Sequence, residues 1–131
     1  MNTAMKTLRH LVVVLALLPA LALAAPTDIS RDDLKVRLAH HEATVLVDVR
    51  SATEFAAGHI PGAINIPHDQ VVTRASELAA HKTDGSLVLY CHSGRRAGLA
   101  ATALEAQGFT GLKHLTGDMQ GWQDAGETVE K

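Results

Sequence analysis

Short apolar runs alternate with amphipathic stretches through most of this chain, and glycine, proline or a polar residue separates them. Residues 45–49 form a β-branched, mostly apolar run, which is typical of a parallel strand buried on both faces. Leu34 and Leu38 follow Ser30 at helical i, i+4 spacing, which indicates a helix that Ser30 caps. A second short helix is predicted to begin at a Thr53 cap.

The alternation of the two patterns predicts an α/β fold, a central parallel sheet of about five strands with helices on both faces. Ligands of such sheets bind beyond the carboxyl ends of the strands. The predicted strands are 27–29, 45–49, 63–66, 87–90 and 113–115. The predicted helices are 31–40, 53–57, 71–81, 97–107 and 119–125.

The start of the chain has a different pattern, which is typical of a secretory signal peptide. Two basic residues, Lys6 and Arg9, precede a 13-residue run (11–23) that is apolar apart from one proline. The small residues Ala22 and Ala24 at its end are typical of a cleavage site. A membrane span needs about 20 apolar residues, so the run favours cleavage over a retained anchor, which stays the alternative. We therefore predict that residues 1–24 are removed and that the protein is periplasmic or secreted and soluble.

The remaining residues, 25–131, are predicted to form one domain, because their number is typical of a single hydrophobic core. Loss of Lys6 and Arg9 leaves 10 basic residues against 14 acidic ones, a formal charge of −4. That balance argues against nucleic acid or an anionic membrane as a partner. The single cysteine, Cys91, cannot form an internal disulfide, so in an oxidising compartment it is a free reactive thiol or an intermolecular partner.

Cys91 lies where a nucleophile is expected in a fold of this kind. It follows the apolar run 87–90 and opens a polar, glycine-containing loop ahead of a helix. A strand, a turn and a helix start present backbone N–H groups that bind anions, and a thiol placed there is expected to attack as the thiolate. An inert buried thiol is the alternative, which the polar loop disfavours. The residues predicted to bind the substrate are His92, Ser93, Gly94, Arg95 and Arg96.

The two arginines of this loop are expected to have different partners. Positive charge is unfavourable at a helix N-terminus, so at least one of them should meet an anion. We predict that Arg95 faces the pocket, and that Arg96 instead pairs with an internal acid.

Asp48 and Arg50, at the end of a neighbouring predicted strand, are interpreted as supports of the site. Arg50 and Glu54 are four residues apart and are expected to pair, while Asp48 accepts loop N–H groups or an arginine and holds the cradle in shape. No metal site is predicted. The remaining polar and aromatic candidates are assigned structural roles: His59 to a local hydrogen bond, Trp122 to the core or pocket rim, and His40 and His41 to the surface.

Three blocks of the sequence resemble the rhodanese-like sulfurtransferases, in particular small exported single-domain members. The blocks are residues 47–67, 88–97 and 115–122, and they cover nearly the whole of the predicted domain in the family's order. One departure is Asp118, where the family often has a second glycine; it lies near the mouth of the expected pocket.

The resemblance implies a single rhodanese-like domain in which Cys91 becomes a persulfide. Sulfane sulfur comes from a small anionic donor such as thiosulfate, sulfite leaves, and cyanide or a thiol accepts the sulfur. Because the donor is a dianion and the nucleophile a thiolate, the site must supply positive potential. The resemblance implies no metal and no organic cofactor.

The length of the loop after Cys91 distinguishes sulfur transfer from the reactions of cysteine-dependent phosphatases and arsenate reductases. Cysteine-dependent phosphatases place an arginine six residues after the nucleophile, where this chain has Ala97. Phosphatase and arsenate reductase activity are therefore disfavoured. A non-catalytic sulfur carrier or a stress-related binding domain of the same fold stays the alternative to an enzyme.

Overall fold

The computed structural model describes Ala16 and residues 25–131 of the chain. The strands are Thr27–Ile29 (β1), Val45–Asp48 (β2), Ile64–Asn65 (β3), Leu87–Tyr90 (β4) and Lys113–Leu115 (β5). The α-helices are Arg31–Ala39 (α1), Ala52–Ala57 (α2), Arg95–Ala106 (α3) and Asp118–Asp124 (α4). All strand pairs are parallel and the sheet order is β1-β5-β4-β2-β3, which confirms the predicted α/β fold.

The hydrophobic core lies in two layers, one on each face of the sheet. In β4 every side chain is buried, and they alternate: Leu87 and Leu89 pack on the side of α3, while Val88 and Tyr90 pack on the other side. This is the period-two geometry of a strand covered on both faces. The strand is therefore immobilised from both sides, and Cys91, which directly follows it, has a fixed position.

The predicted helix over 71–81 is wrong, because two short 3₁₀ helices, His68–Gln70 and Ala75–His81, flank a turn there. Thr73 lies in that turn, and its hydroxyl donates to the carbonyl of Gln70 at 3.1 Å, a local bond that competes with helix formation. Only Val71 and Leu78 are buried in this stretch, and two buried side chains provide too little tertiary packing to stabilise a regular α-helix.

The cap of α2 also differs from the prediction. Ser51, not Thr53, caps this helix, and Ser51 and Glu54 form a reciprocal capping box. The spacing Ser-x-x-Glu carries that signal in the sequence. With Ser51 as the cap, Glu54 is the third residue of the helix, where its carboxylate can bond to the backbone N–H of Ser51.

The predicted signal peptide lies outside the described residues, apart from Ala16. Among the helices that the structure describes, none has both the length and the apolar character that crossing a membrane requires.

Candidate active site

Cys91 lies at the carboxyl end of the central strand β4, at the base of the loop that leads into α3. It is a free thiol, only 1 % exposed. The backbone N–H of Gly94 donates to its Sγ at 3.0 Å. The sulfur therefore lies inside the curve of its own loop.

The loop that begins at this sulfur, called the cradle below, carries backbone N–H groups that no carbonyl accepts within the described residues. The first backbone bond of α3 runs from Gly98 N–H to the carbonyl of Gly94, at 3.0 Å. In the part of the chain that the structure describes, the N–H groups of residues 92, 93 and 95–97 have no acceptor. Together with the positive end of the helix dipole, they favour an anion at this position.

Gly94 is required by the shape of the cradle. Its φ is +112°, a conformation that side chains disfavour, and a Cβ there would come within 3.2 Å of Asp118 Oδ2. The loop is thus packed from behind by α4. Backbone bonds hold it there, since Met119 N–H donates to the carbonyl of Cys91 at 2.9 Å and Gln120 N–H to that of His92 at 3.1 Å.

Arg96 pairs with an internal acid, as predicted, and that acid is Glu54. The guanidinium donates to both carboxylate oxygens, at 2.6 and 3.1 Å. The pKa of Glu54 is lowered to about 2, mainly by the hydrogen bond from Arg96 and also by the bonds from Ser51, while burial opposes the shift. This bidentate contact ties the start of α3 to α2 and fixes the direction of the loop.

Three of the other predicted binding residues lie on the outer side of the loop. His92, Ser93 and Arg95 are exposed, and Gly94 is half-buried. Arg95 makes no side-chain hydrogen bond or ion pair within the described residues, so its charge is available to a ligand. That Arg95 binds the substrate stays a prediction.

Asp48 and Arg50 are buried and form an ion pair with each other, which indicates a structural role. Arg50 Nη2 donates to Asp48 Oδ2 at 2.6 Å and to the carbonyl of Gly58 at 2.7 Å, and its backbone N–H donates to Asp48 Oδ1. The predicted Arg50–Glu54 pair is therefore wrong, because Asp48 holds Arg50 and Arg96 holds Glu54. Asp48 thus accepts an arginine, as predicted, and Arg50 extends the contact to the turn at Gly58, while support of the Cys91 loop by this pair stays a prediction. Burial, reinforced by the charge of Asp48, raises the pKa of the neighbouring Tyr90.

The other structural assignments agree with the geometry. His59 Nδ1 lies 2.9 Å from the carbonyl of Phe55, a local bond. Trp122 is in the core, and its indole N–H donates to the carbonyl of Thr128 at 2.8 Å. His40 and His41 are exposed.

Sequence reasoning assigned no role in the site to His114 or Asp118, although it noted Asp118 as a departure from the family pattern. Asp118 is 2 % exposed, and its Oδ1 accepts the backbone N–H of Cys91 at 3.0 Å and lies 2.9 Å from His114 Nε2. The hydrogen bond to Asp118 raises the pKa of His114, and burial opposes it in part. The signal that could have found Asp118 was its departure from the family pattern at this position.

This chain belongs to the family of rhodanese-like domains. The family model described as "Rhodanese-like domain" matches residues 30–125. This range contains all four α-helices and every strand of the sheet except β1. The family identified from the three sequence blocks is thereby confirmed.

Similar proteins include sulfurtransferases and a proposed sulfur carrier. The solved structure of the human single-domain sulfurtransferase TSTD1 has a TM-score of 0.66 at 33% identity, covering 77% of this chain and 97% of that chain. Human thiosulfate:glutathione sulfurtransferase is 39% identical over 110 residues, 75% of this chain and 93% of its own length. YrkF of Bacillus subtilis (strain 168), named for a proposed role as a sulfur carrier, is 34% identical over 95 residues, 72% of this chain. The chain spans 50% of the length of YrkF.

Proposed function

We propose that this protein is a sulfurtransferase that takes sulfane sulfur from thiosulfate onto Cys91 and passes it to a thiol or to cyanide. One observation carries the proposal: the Sγ of Cys91 accepts the Gly94 N–H at 3.0 Å, at the start of a helix. A cradle of this kind stabilises a sulfur anion, both as the attacking thiolate and as the persulfide.

The first half-reaction forms a sulfur–sulfur bond and breaks another. The Cys91 thiolate attacks the sulfane sulfur of thiosulfate, and the bond to the sulfonate sulfur breaks, with its electron pair leaving on sulfite. The enzyme is left as a persulfide anion. The loop N–H groups, the helix dipole and the charge of Arg95 offset the repulsion between thiolate and dianion.

The second half-reaction regenerates the thiolate. A nucleophilic acceptor attacks the outer sulfur, and Cys91 leaves with the electron pair. The name of the human thiosulfate:glutathione sulfurtransferase supports a small thiol as acceptor. Cyanide is the simpler laboratory acceptor, because it is small enough to reach a sulfur atom that is buried at the base of its loop.

A non-enzymatic sulfur carrier is the second candidate. The burial of Cys91, at 1 % exposure, suits a persulfide that is protected until a partner protein docks, and the likeness to YrkF supports the same role. The two functions share the covalent step and differ in turnover. Multiple turnovers with a small acceptor support the enzyme, and a single stoichiometric transfer supports the carrier.

Intact-mass analysis tests the covalent step that both functions share. After treatment of the protein with thiosulfate, we expect a mass gain of one sulfur atom, reversed by cyanide. Peptide mapping should place the gain on Cys91. An unchanged mass at millimolar thiosulfate would contradict the proposal, and the Cys91→Ser variant is the control for non-specific addition.

We also propose that the protein is a small exported member of its family, periplasmic or secreted. The basic start, the 13-residue apolar run and the small residues at 22–24 support cleavage after Ala24 or Ala25. N-terminal sequencing of the native protein from the extracytoplasmic fraction should begin at Ala25 or Pro26. A chain found in the membrane fraction with residues 1–24 attached would show an anchor instead.

A further inference from the structure

Asp118 is a buried acid in a backbone conformation that favours glycine. Its φ is +54°, and its side chain is almost fully enclosed behind the Cys91 loop. Asp tolerates this region better than most residues, but burying a carboxylate is unfavourable unless it is paired. Two donors pair it here, the backbone N–H of Cys91 and His114 Nε2.

His114 and Asp118 lie directly behind the cradle. A Cβ on Gly94 would come within 3.2 Å of Asp118 Oδ2 and 3.4 Å of His114 Cε1, and the same glycine donates its N–H to Cys91 Sγ. Gly94 therefore lies between the pair and the reactive sulfur, with its N–H on the sulfur and the pair on its other side. A charge on the pair acts on the sulfur through this partly buried region, where solvent screens it less than at the surface.

Within the described residues, two charged groups face His114. Asp118 lies on α4, and Asp28 on β1 has an oxygen 3.7 Å from His114 Nδ1. Asp28 is largely exposed and therefore screened by solvent. Asp118 is thus the main partner, and the charge of the pair depends on the proton of His114.

The sign of the effect follows from this arrangement. With His114 protonated, the pair has no net charge. The positive potential of the loop dipoles and Arg95 at the donor is then not reduced by a negative charge behind the sulfur. When His114 loses its proton, the carboxylate of Asp118 remains as a net negative charge behind the sulfur. That charge disfavours the Cys91 thiolate and repels a dianionic donor.

We propose that His114 and Asp118 are positioning residues for the sulfur-transfer reaction. Asp118 fixes the backbone of Cys91, and protonated His114 cancels the charge that this contact introduces next to the nucleophile. Only the predicted effects on thiosulfate kinetics rest on the proposed function, because the ionisation of Cys91 can be measured by alkylation without turnover.

If His114 must be protonated, the plot of kcat/KM for thiosulfate against pH should have a descending limb at high pH. The hydrogen bond to Asp118 raises the pKa of His114 above its ordinary value, so His114 keeps its proton to a higher pH than a free imidazole does. The value of kcat/KM for thiosulfate should fall as pH rises through that pKa. The ionic contact likewise stabilises the fold below the ordinary histidine pKa, and this contribution is lost as pH rises through the raised one.

Three variants of the full protein test the proposal: His114→Gln, Asp118→Asn and the double variant. His114→Gln keeps an N–H donor but removes the positive charge. Asp118→Asn keeps the acceptor for Cys91 N–H, tolerates the backbone conformation and removes the negative charge. Circular dichroism and thermal unfolding first establish that each variant is folded.

The readout is the pH profile of Cys91 alkylation by iodoacetamide, together with thiosulfate kinetics. His114→Gln should shift the alkylation midpoint upward by about one unit and lower kcat/KM about tenfold at neutral pH. Asp118→Asn should alkylate at least as fast as the parent protein and lose the descending limb. The double variant should recover to within about twofold of the parent, since it removes both charges.

A merely structural role predicts a different result, in which both single variants lose reactivity and the double variant is worse than either. That pattern, or an unshifted alkylation profile in His114→Gln, would overturn the proposal. If no variant or parent protein turns over thiosulfate, the proposed function fails while the alkylation profiles still decide the role of the pair. If His114→Gln does not fold, the descending limb of the parent and its absence in Asp118→Asn give the same decision.

Discussion

Replacing Cys91 by serine is expected to lower thiocyanate formation from thiosulfate and cyanide by more than about a thousandfold, while the fold is retained. Oxygen is a poor nucleophile toward sulfane sulfur, and a neutral hydroxyl does not carry the negative charge that the cradle stabilises. Serine is nearly isosteric with cysteine and offers an acceptor to Gly94 N–H. The thermal unfolding temperature should therefore stay close to that of the parent protein.

The measurement is steady-state thiocyanate production by both proteins over a range of thiosulfate concentrations. Glu105→Gln, a substitution on α3 away from the loop, is a suitable control for handling and background transfer. Turnover of Cys91→Ser within tenfold of the parent would remove Cys91 from the mechanism. Loss of both activity and folding would call for Cys91→Ala as a second variant of the same test.

Most of the fold could be predicted because its signals are local. The strand β4 reads as an unbroken apolar run, and the structure buries each of its side chains. The helix predicted at 71–81 failed for a physical reason: only Val71 and Leu78 are buried there, and Thr73 bonds to the backbone of its own turn. Sequence periodicity does not report such a competition between local bonds and the helix ladder.

The site could be predicted as far as its residues are neighbours in sequence. Cys91 and its loop follow one strand, so strand position alone places them at the carboxyl edge of the sheet. Contacts between distant segments were harder. Arg96 was expected to meet an acid, but the identity of that acid required the structure, because Glu54 lies 42 positions away in the sequence.

His114 and Asp118 show the limit of sequence reasoning most clearly. They are four residues apart around a strand end, and nothing in their spacing indicates that both lie behind Gly94. Only the packing of α4 against the loop brings the carboxylate to Cys91 N–H. Asp118 could be flagged as a departure from the family pattern, but its partners could not be named.

The second large effect is expected from the two arginines, which the structure places in different environments. Arg95 is exposed and has no side-chain partner within the described residues, whereas Arg96 is held by Glu54. Arg95→Ala should remove a charge-assisted contact to the donor that is worth roughly 1.5–3 kcal/mol. The value of kcat/KM for thiosulfate should then fall about 10- to 100-fold, mostly through KM.

Arg96→Ala should instead lower stability more than affinity. Its pair with Glu54 is 25% and 37% exposed, so screening limits the loss to about 1 kcal/mol, a decrease of a few degrees in unfolding temperature. Arg95→Lys is the matched control, because it keeps the charge and should keep most of the affinity for thiosulfate. Transfer from the preformed persulfide to an uncharged acceptor should be less affected in Arg95→Ala than the first half-reaction. Equal increases of KM in the two alanine variants would contradict the separate roles of the two arginines. A larger increase in Arg96→Ala would show that Arg96 and not Arg95 attracts the donor.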